Sequence, residues 1–211
     1  MNEEPWTRQR REMVRTQLQP RGICDPRVLA AMGTVPRQEF VPVDLQEHAY
    51  ADGALAIGHG QTISQPCIVA RMVELARLNG GERVLEIGAG CGYASAVLSL
   101  LAARVCALEL EESLTQAARQ RLMRLGYTNI DLRQGDGWRP WPGGGEFDAI
   151  FCACAPETLP EILVGQLAEG GRLIIPIGPR DAQQTLHCLR KERDGELVEE
   201  AADPVRFVPM R

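Results

Sequence analysis

Between Arg83 and Ile177 the chain repeats one pattern: a short apolar run of strand length, a turn, then a helical stretch. Arg83–Ile87, Arg104–Leu108 (closed by Glu109), Ile130–Gln134, Phe147–Cys152 and Arg172–Ile177 read as strands. Tyr93–Ala102, Ser113–Leu125 and Leu159–Leu167 read as intervening helices. Strands joined through helices run parallel, and a parallel sheet is covered on both faces. The pattern therefore predicts an α/β fold with a mostly parallel, doubly wound sheet. Gln184–Lys191 and Val205–Val208 read as two further strands, with the turn chemistry of Arg193-Asp194-Gly195 just after the first.

Ahead of the sheet the signals are helical. Met13, Val14 and Leu18 share a face within Arg8–Gln19, and Pro20-Arg21-Gly22 breaks that helix. Asp25-Pro26 pairs an N-cap with a proline at the first helical position, opening Pro26–Met32. Ala54–Pro66 is rich in small and hydroxyl residues and reads as a loop. A helix follows over Ile68–Leu78, stopped by Gly80-Gly81. The expected organisation is one domain over residues 1–211. Residues 1–55 form a helical N-terminal segment, and residues 56–211 a loop plus an α/β core.

Composition narrows the function. With 45% hydrophobic and 24% charged residues the chain has the balance of a soluble globular protein. No run approaches the ~20 apolar residues of a membrane span. A net charge of −5 argues against a nucleic-acid surface, where a basic face is expected. Lys191 is the single lysine, poorly placed for Schiff-base or phosphate-loop chemistry. The seven cysteines show neither CxxC nor zinc-finger spacing, so no metal is expected. Cys152-Ala153-Cys154 reads as buried strand thiols. Met1–Trp6 is acidic and then leads into arginines, unlike a secretory signal, and reduced thiols fit a cytoplasmic protein.

The chemistry concentrates at the ends of the strands. The first strand runs into Gly88-x-Gly90-x-Gly92, with Tyr93 where a dinucleotide loop of GxGxxG spacing has its last glycine. Glu109 ends the second strand 21 positions after Gly88, where a carboxylate can accept hydrogen bonds from both hydroxyls of a ribose. Asp136 follows the third strand, where an adenine would lie. Glu86 precedes the glycines, facing the methionine-like part of a nucleoside ligand. Three acids around a glycine loop fit S-adenosylmethionine, a cationic ligand with a ribose and no diphosphate. His59 and Cys67 read as packing or loop-bonding residues, and Trp138 and Trp141 as loop packing.

Several motifs together resemble the protein-L-isoaspartate O-methyltransferase family. They are Gly58–Pro66 (with Gln61-Thr62-Ile63-Ser64-Gln65-Pro66 the specific part), Val84–Tyr93, Gly135–Trp138 and Phe207-Val208-Pro209, in order over nearly the whole chain. The resemblance implies a Rossmann-like, seven-stranded methyltransferase fold. It implies methyl transfer from S-adenosylmethionine, leaving S-adenosylhomocysteine, to the free carboxylate of isoaspartyl residues in damaged proteins and peptides. By position Ser64 matches the active-site serine. Glu86, Gly88, Gly90, Glu109, Asp136 and Gly137 match cofactor contacts, and Ile63, Ser64 and Gln184 substrate contacts. A cytoplasmic monomer acting on isoaspartyl proteins, without nucleic acid or membrane, is the implied setting. Ala54, Ala56, Cys67, Ala89, Cys91 and Cys152 depart from the family pattern. They leave open a methyltransferase of the same fold with another small-molecule or peptide acceptor. A domain that only binds the nucleoside and a partner is the non-enzymatic alternative.

No His–Asp pair or paired carboxylates stand out, and the expected reaction needs none. A peptide carboxylate has a pKa near 4 and is already ionised at neutral pH. Ser64 is therefore expected to orient the acceptor, not to attack.

Overall fold

The computed structural model describes residues 4–180 and 182–211; Met1–Glu3, part of the stretch weighed as a secretory signal, lie outside them. Helix α1 (Pro5–Met13) continues as a π-helical turn, Val14–Leu18, and a 3-10 turn, Gln19–Arg21. Helix α2 (Pro26–Thr34) begins as its sequence predicts, with the Arg27 N–H donating to the Asp25 carboxylate at 2.8 Å. Two 3-10 turns, Arg37–Phe40 and Val43–His48, complete the N-terminal segment.

The expected loop is a β-hairpin. Strand β1 (Leu55–Gly58) pairs antiparallel with β2 (Gln61–Ile63). Its turn, Gly58-His59-Gly60, is left-handed throughout, with φ of 92°, 53° and 69°. The sequence hid these strands because Ile63 is their only fully buried residue, so no alternation of burial is written into them. Helix α3 (Pro66–Ala76) then starts on Pro66, two residues earlier than expected.

The core sheet follows as β3 (Arg83–Ile87), α4 (Tyr93–Ser99), β4 (Arg104–Glu109), α5 (Glu112–Arg124), β5 (Ile130–Gln134), β6 (Phe147–Cys152), α6 (Glu161–Val164), β7 (Leu167–Ile177), β8 (Gln184–Lys191) and β9 (Leu197–Val205). Its seven strands lie in the order β5-β4-β3-β6-β7-β8-β9. The first four pairings are parallel, and β8 and β9 add antiparallel partners at one edge. This is the Rossmann-like sheet expected. The chain moves outward from β3 through β4 to β5, then crosses back to lay β6 on the other side of β3. The carboxyl end of β3 is therefore the switch point of the sheet, where such folds bind ligands.

Neighbouring residues of a strand feed opposite layers. Val84 and Ala107 join the core that also holds Met13, Leu18, Val28 and α3, whereas Leu85 and Leu108 join a second core with Trp141 and Leu163. The first of these cores ties the N-terminal helices to the sheet.

Two elements differ from expectation. The helix expected over Leu159–Leu167 is only the four residues of α6, preceded by Pro160 and ended by Gly165. Strand β7 consequently begins at Leu167, not Arg172, pairing Phe147 with Leu167 before its register shifts. The last strand is β9, not Val205–Val208. Glu199 and Glu200 obscured it, yet Glu200 is held within the sheet by Arg172 at 2.8 Å and Arg190 at 2.9 Å. The segment after β9 instead runs back toward β6. There Ala155 donates its N–H to Val208 and accepts from Met210, at 2.8 and 2.9 Å. Among the described residues no helix is long and apolar enough to cross a membrane.

Candidate active site

A cleft opens at the carboxyl end of β3. Its walls come from the glycine loop, the ends of β2 and β4, Gly135 and Gly137 after β5, Cys154 after β6, and the returning segment Phe207–Arg211. Gly88 and Gly90 have φ of 81° and 55°, a backbone that side-chain-bearing residues rarely adopt. A Cβ on Gly90 would also come within 3.1 Å of Ile57 Cδ1, so the loop is narrowed to bare backbone where it meets the hairpin.

Two acids define the polarity of the cleft. Glu109 accepts the Gly90 N–H on one carboxylate oxygen at 2.7 Å and the Glu111 N–H on the other at 2.9 Å. Each oxygen retains a lone pair, so the carboxylate both fixes the glycine loop and can accept further donors. Glu86 is fully buried. One of its oxygens accepts from the Ser95 hydroxyl, and the other, Oε1, has no partner among the described residues. Burial lifts its pKa to about 7, with the Glu109 charge adding to the rise and the Ser95 bond opposing it. A buried carboxylate oxygen left unbonded beside an open cleft suits a cationic or N–H-bearing ligand. The site thus matches what S-adenosylmethionine presents: donor groups, a positive charge, and no phosphate.

Ile63 and Ser64 reach the cleft from the end of β2. Ser64 Oγ makes no hydrogen bond among the described residues. Its main-chain carbonyl accepts from Arg37 Nη2 at 2.8 Å. Ser64 also lines a second, open groove of ≈500 Å³ that shares Thr62, Ala153, Phe207 and Val208 with the first cleft. It stands in the wall between two cavities, with its hydroxyl uncommitted.

Asp136 and Gln184 have their side chains engaged within the protein. The Asp136 side chain does not line the cleft; its Oδ1 accepts the Trp138 N–H at 2.8 Å, capping its own turn. The flanking Gly135 and Gly137 line the cleft, so this end of it is bounded by backbone. Gln184 is buried and likewise does not line it. Its side chain brackets Phe207, accepting the Phe207 N–H at 2.7 Å and donating to the Phe207 carbonyl at 3.3 Å. It positions a wall shared by both cavities.

Sequence reasoning passed over Arg37. Its guanidinium is wholly buried, donates Nε to Ala49 O at 2.7 Å, and lies 4.8 Å from the centre of the Tyr93 ring. Nη1 has no partner, and no carboxylate pairs with it among the described residues. Burial pulls its pKa below the usual guanidinium value, while Tyr93 and Cys91 oppose the shift. An arginine in a polar-looking stretch reads as surface; only the fold reveals that it carries the Ser64 loop. His59 has a loop role as anticipated, with Nε2 3.0 Å from Ser113 Oγ. Trp141 is buried under Arg133. Cys67 is buried on α3.

The family model for protein-L-isoaspartate(D-aspartate) O-methyltransferase matches residues 8–211. The chain belongs to this family. A protein-L-isoaspartate O-methyltransferase of Synechococcus sp. (strain JA-2-3B'a(2-13)) is 51% identical over 98% of this chain and 87% of its own. One from Myxococcus xanthus (strain DK1622) is 52% identical over 90% of each. A solved protein-L-isoaspartate O-methyltransferase superposes with a TM-score of 0.83 at 31% identity, covering 94% of this chain; this chain spans 65% of that one. A solved Plasmodium falciparum chain described as the same enzyme, in complex with S-adenosyl-L-homocysteine, gives 0.80 at 27% identity over 96% of this chain and 98% of its own. This methyltransferase therefore uses S-adenosylmethionine as its donor.

Proposed function

We propose that Ser64 is where this methyltransferase orients the free carboxylate of an L-isoaspartyl residue, presenting it from the groove to the donor cleft. The activity itself is that of the family: methylation of isoaspartyl residues in damaged proteins and peptides, which initiates their repair. The observation that carries the assignment is the position of Ser64 in the wall between the two cavities, with Oγ unbonded.

S-adenosylmethionine supplies a methyl group made electrophilic by a positively charged sulfur. Glu109 is placed to accept the ribose hydroxyls, Glu86 Oε1 to meet the cationic end, and Gly88, Gly90 and Gly137 to let the ligand approach the main chain. The acceptor needs no base, because a carboxylate is ionised at neutral pH. The task left to the protein is placement, which is worth ~7–11 kcal/mol when the reacting groups are held in line. A neutral hydroxyl suits this better than a cation in contact, which would stabilise the carboxylate and blunt its attack. Arg37 fits that division: it fixes the Ser64 carbonyl and leaves the hydroxyl free. The ester formed is then lost as methanol when a neighbouring backbone nitrogen closes a succinimide, a step to which no residue is assigned. Seven free cysteines suit a reducing compartment, and the reading places the protein in the cytoplasm as a monomer.

The test is Ser64→Ala, assayed by base-labile methyl release from an isoaspartyl peptide, with its aspartyl twin as control. Turnover should fall roughly ten- to hundred-fold, the range of a hydrogen bond to a charged group. S-adenosylhomocysteine affinity by calorimetry should stay near the parent's. Equal turnover by variant and parent rules out the role.

A further inference from the structure

The groove on the acceptor side of Ser64 has a charge pattern that the methyl transfer does not use. Its walls carry Ile68, Val205 and Phe207, with Gln65 and Gln183 among the polar positions. Arg206 is the one charged side chain lining it among the described residues. Among the described residues, two acids near its rim are already paired. Asp52, which accepts from Gln65 Nε2 at 2.7 Å, is held by both nitrogens of the Arg21 fork. Asp203, just before this stretch, pairs with Arg71 at 2.9 Å. Arg206 is exposed and has no ion-pair partner among the described residues.

An unpaired cation on the wall of an open groove imposes a preference on whatever chain segment lies there. The protein's net charge of −5 repels acidic segments only weakly at distance, because salt screens beyond ~8 Å. Within that range the nearest charge decides. We infer that Arg206 selects isoaspartyl sites carrying Asp or Glu within a few residues of the damaged position, and disfavours those carrying Lys or Arg. The inference rests on the Ser64 reading, since it takes the groove as the path of the acceptor peptide. Arg206 acts here on substrate choice and does not touch the reacting atoms.

The experiment measures kcat/KM on isoaspartyl peptides that differ only by Glu or Lys at one of the three positions on either side. The parent, Arg206→Ala and Arg206→Glu are compared. The parent should favour Glu by roughly 2–5-fold at one or more positions, the range of an exposed ion pair. That ratio should fall to about one in Arg206→Ala and reverse in Arg206→Glu. It should also shrink as salt is raised, while S-adenosylhomocysteine affinity confirms an intact donor cleft. A parent without preference, or one ratio shared by all three proteins, overturns the inference. A parallel Ser64→Ala arm should lose turnover yet keep the parent's ratio. Full turnover there sinks the Ser64 assignment alone, and an unchanged ratio in the Arg206 variants sinks the Arg206 assignment alone.

Discussion

Glu86 makes the protein's stability depend on pH in an unusual direction. Its carboxyl is fully buried, half-bonded, and lifted from 4.5 to about 7. Between those values the folded protein holds a proton that the unfolded chain has lost. Unfolding there releases a proton, so stability falls as pH rises. The contribution is complete below about pH 4.5 and is lost as pH passes through about 7. At ~1.4 kcal/mol per pH unit its full size is about 3 kcal/mol, taken as an upper limit. Glu86→Gln keeps the shape and can keep the Ser95 bond, but it stays neutral at every pH. In urea unfolding without donor, the variant should lie within ~1 kcal/mol of the parent at pH 5 and exceed it by as much as ~3 kcal/mol at pH 8. Asp25, Asp52, Asp131 and Glu200 are pulled the opposite way by their arginine partners. What they contribute is lost as pH falls below the ordinary carboxylate range, outside this window and common to both proteins. Stability curves for the two proteins that stay parallel from pH 5 to 8 would refute the argument. They would mean that Glu86 is solvated or paired when folded.

Two further outcomes test the donor cleft. Glu109→Gln keeps the size but removes the charge that accepts the Gly90 N–H, so S-adenosylhomocysteine affinity should fall roughly ten- to hundred-fold by calorimetry. An unchanged dissociation constant would remove Glu109 from the site. Gly137→Ala places a methyl 2.5 Å from Ile87 Cγ2 and 2.8 Å from Met210 Cε. Met210 can swing aside but Ile87 cannot, so thermal unfolding should show a loss of about 1–3 kcal/mol, with weaker ligand binding alongside.

The sheet and the glycine loop were legible because each rests on local chemistry. Apolar runs such as Val84–Ile87 and bare turns such as Gly88–Gly92 permit few other conformations. Glu109 was legible for the same reason, since strand length fixes which residue ends β4. The hairpin that carries Ser64 was not, because only Ile63 of its strands is fully buried and Leu55 and Ile57 merely lean on the core. Arg37 was invisible because nothing near it in sequence signals burial; the carbonyls it satisfies lie 12 and 27 residues away. Asp136 and Gln184 were found by position, but position does not say where a side chain turns. Asp136 turns into its own loop and Gln184 toward Phe207.

The donor cleft draws on Ile63, Glu86, Glu109, Gly137 and Met210, so its parts are spread from the hairpin to the last few residues described. Most of its lining lies between Gln61 and Cys154, and Phe207–Arg211 closes the remaining side. A nascent chain or proteolytic fragment that stops before β9 keeps Glu86 and Glu109 but lacks the wall Phe207–Arg211, so it should hold the ligand more weakly. Full-affinity capture of S-adenosylhomocysteine therefore reports that the last segment has docked, and saturating ligand should shield the early hairpin and the late returning segment from protease together.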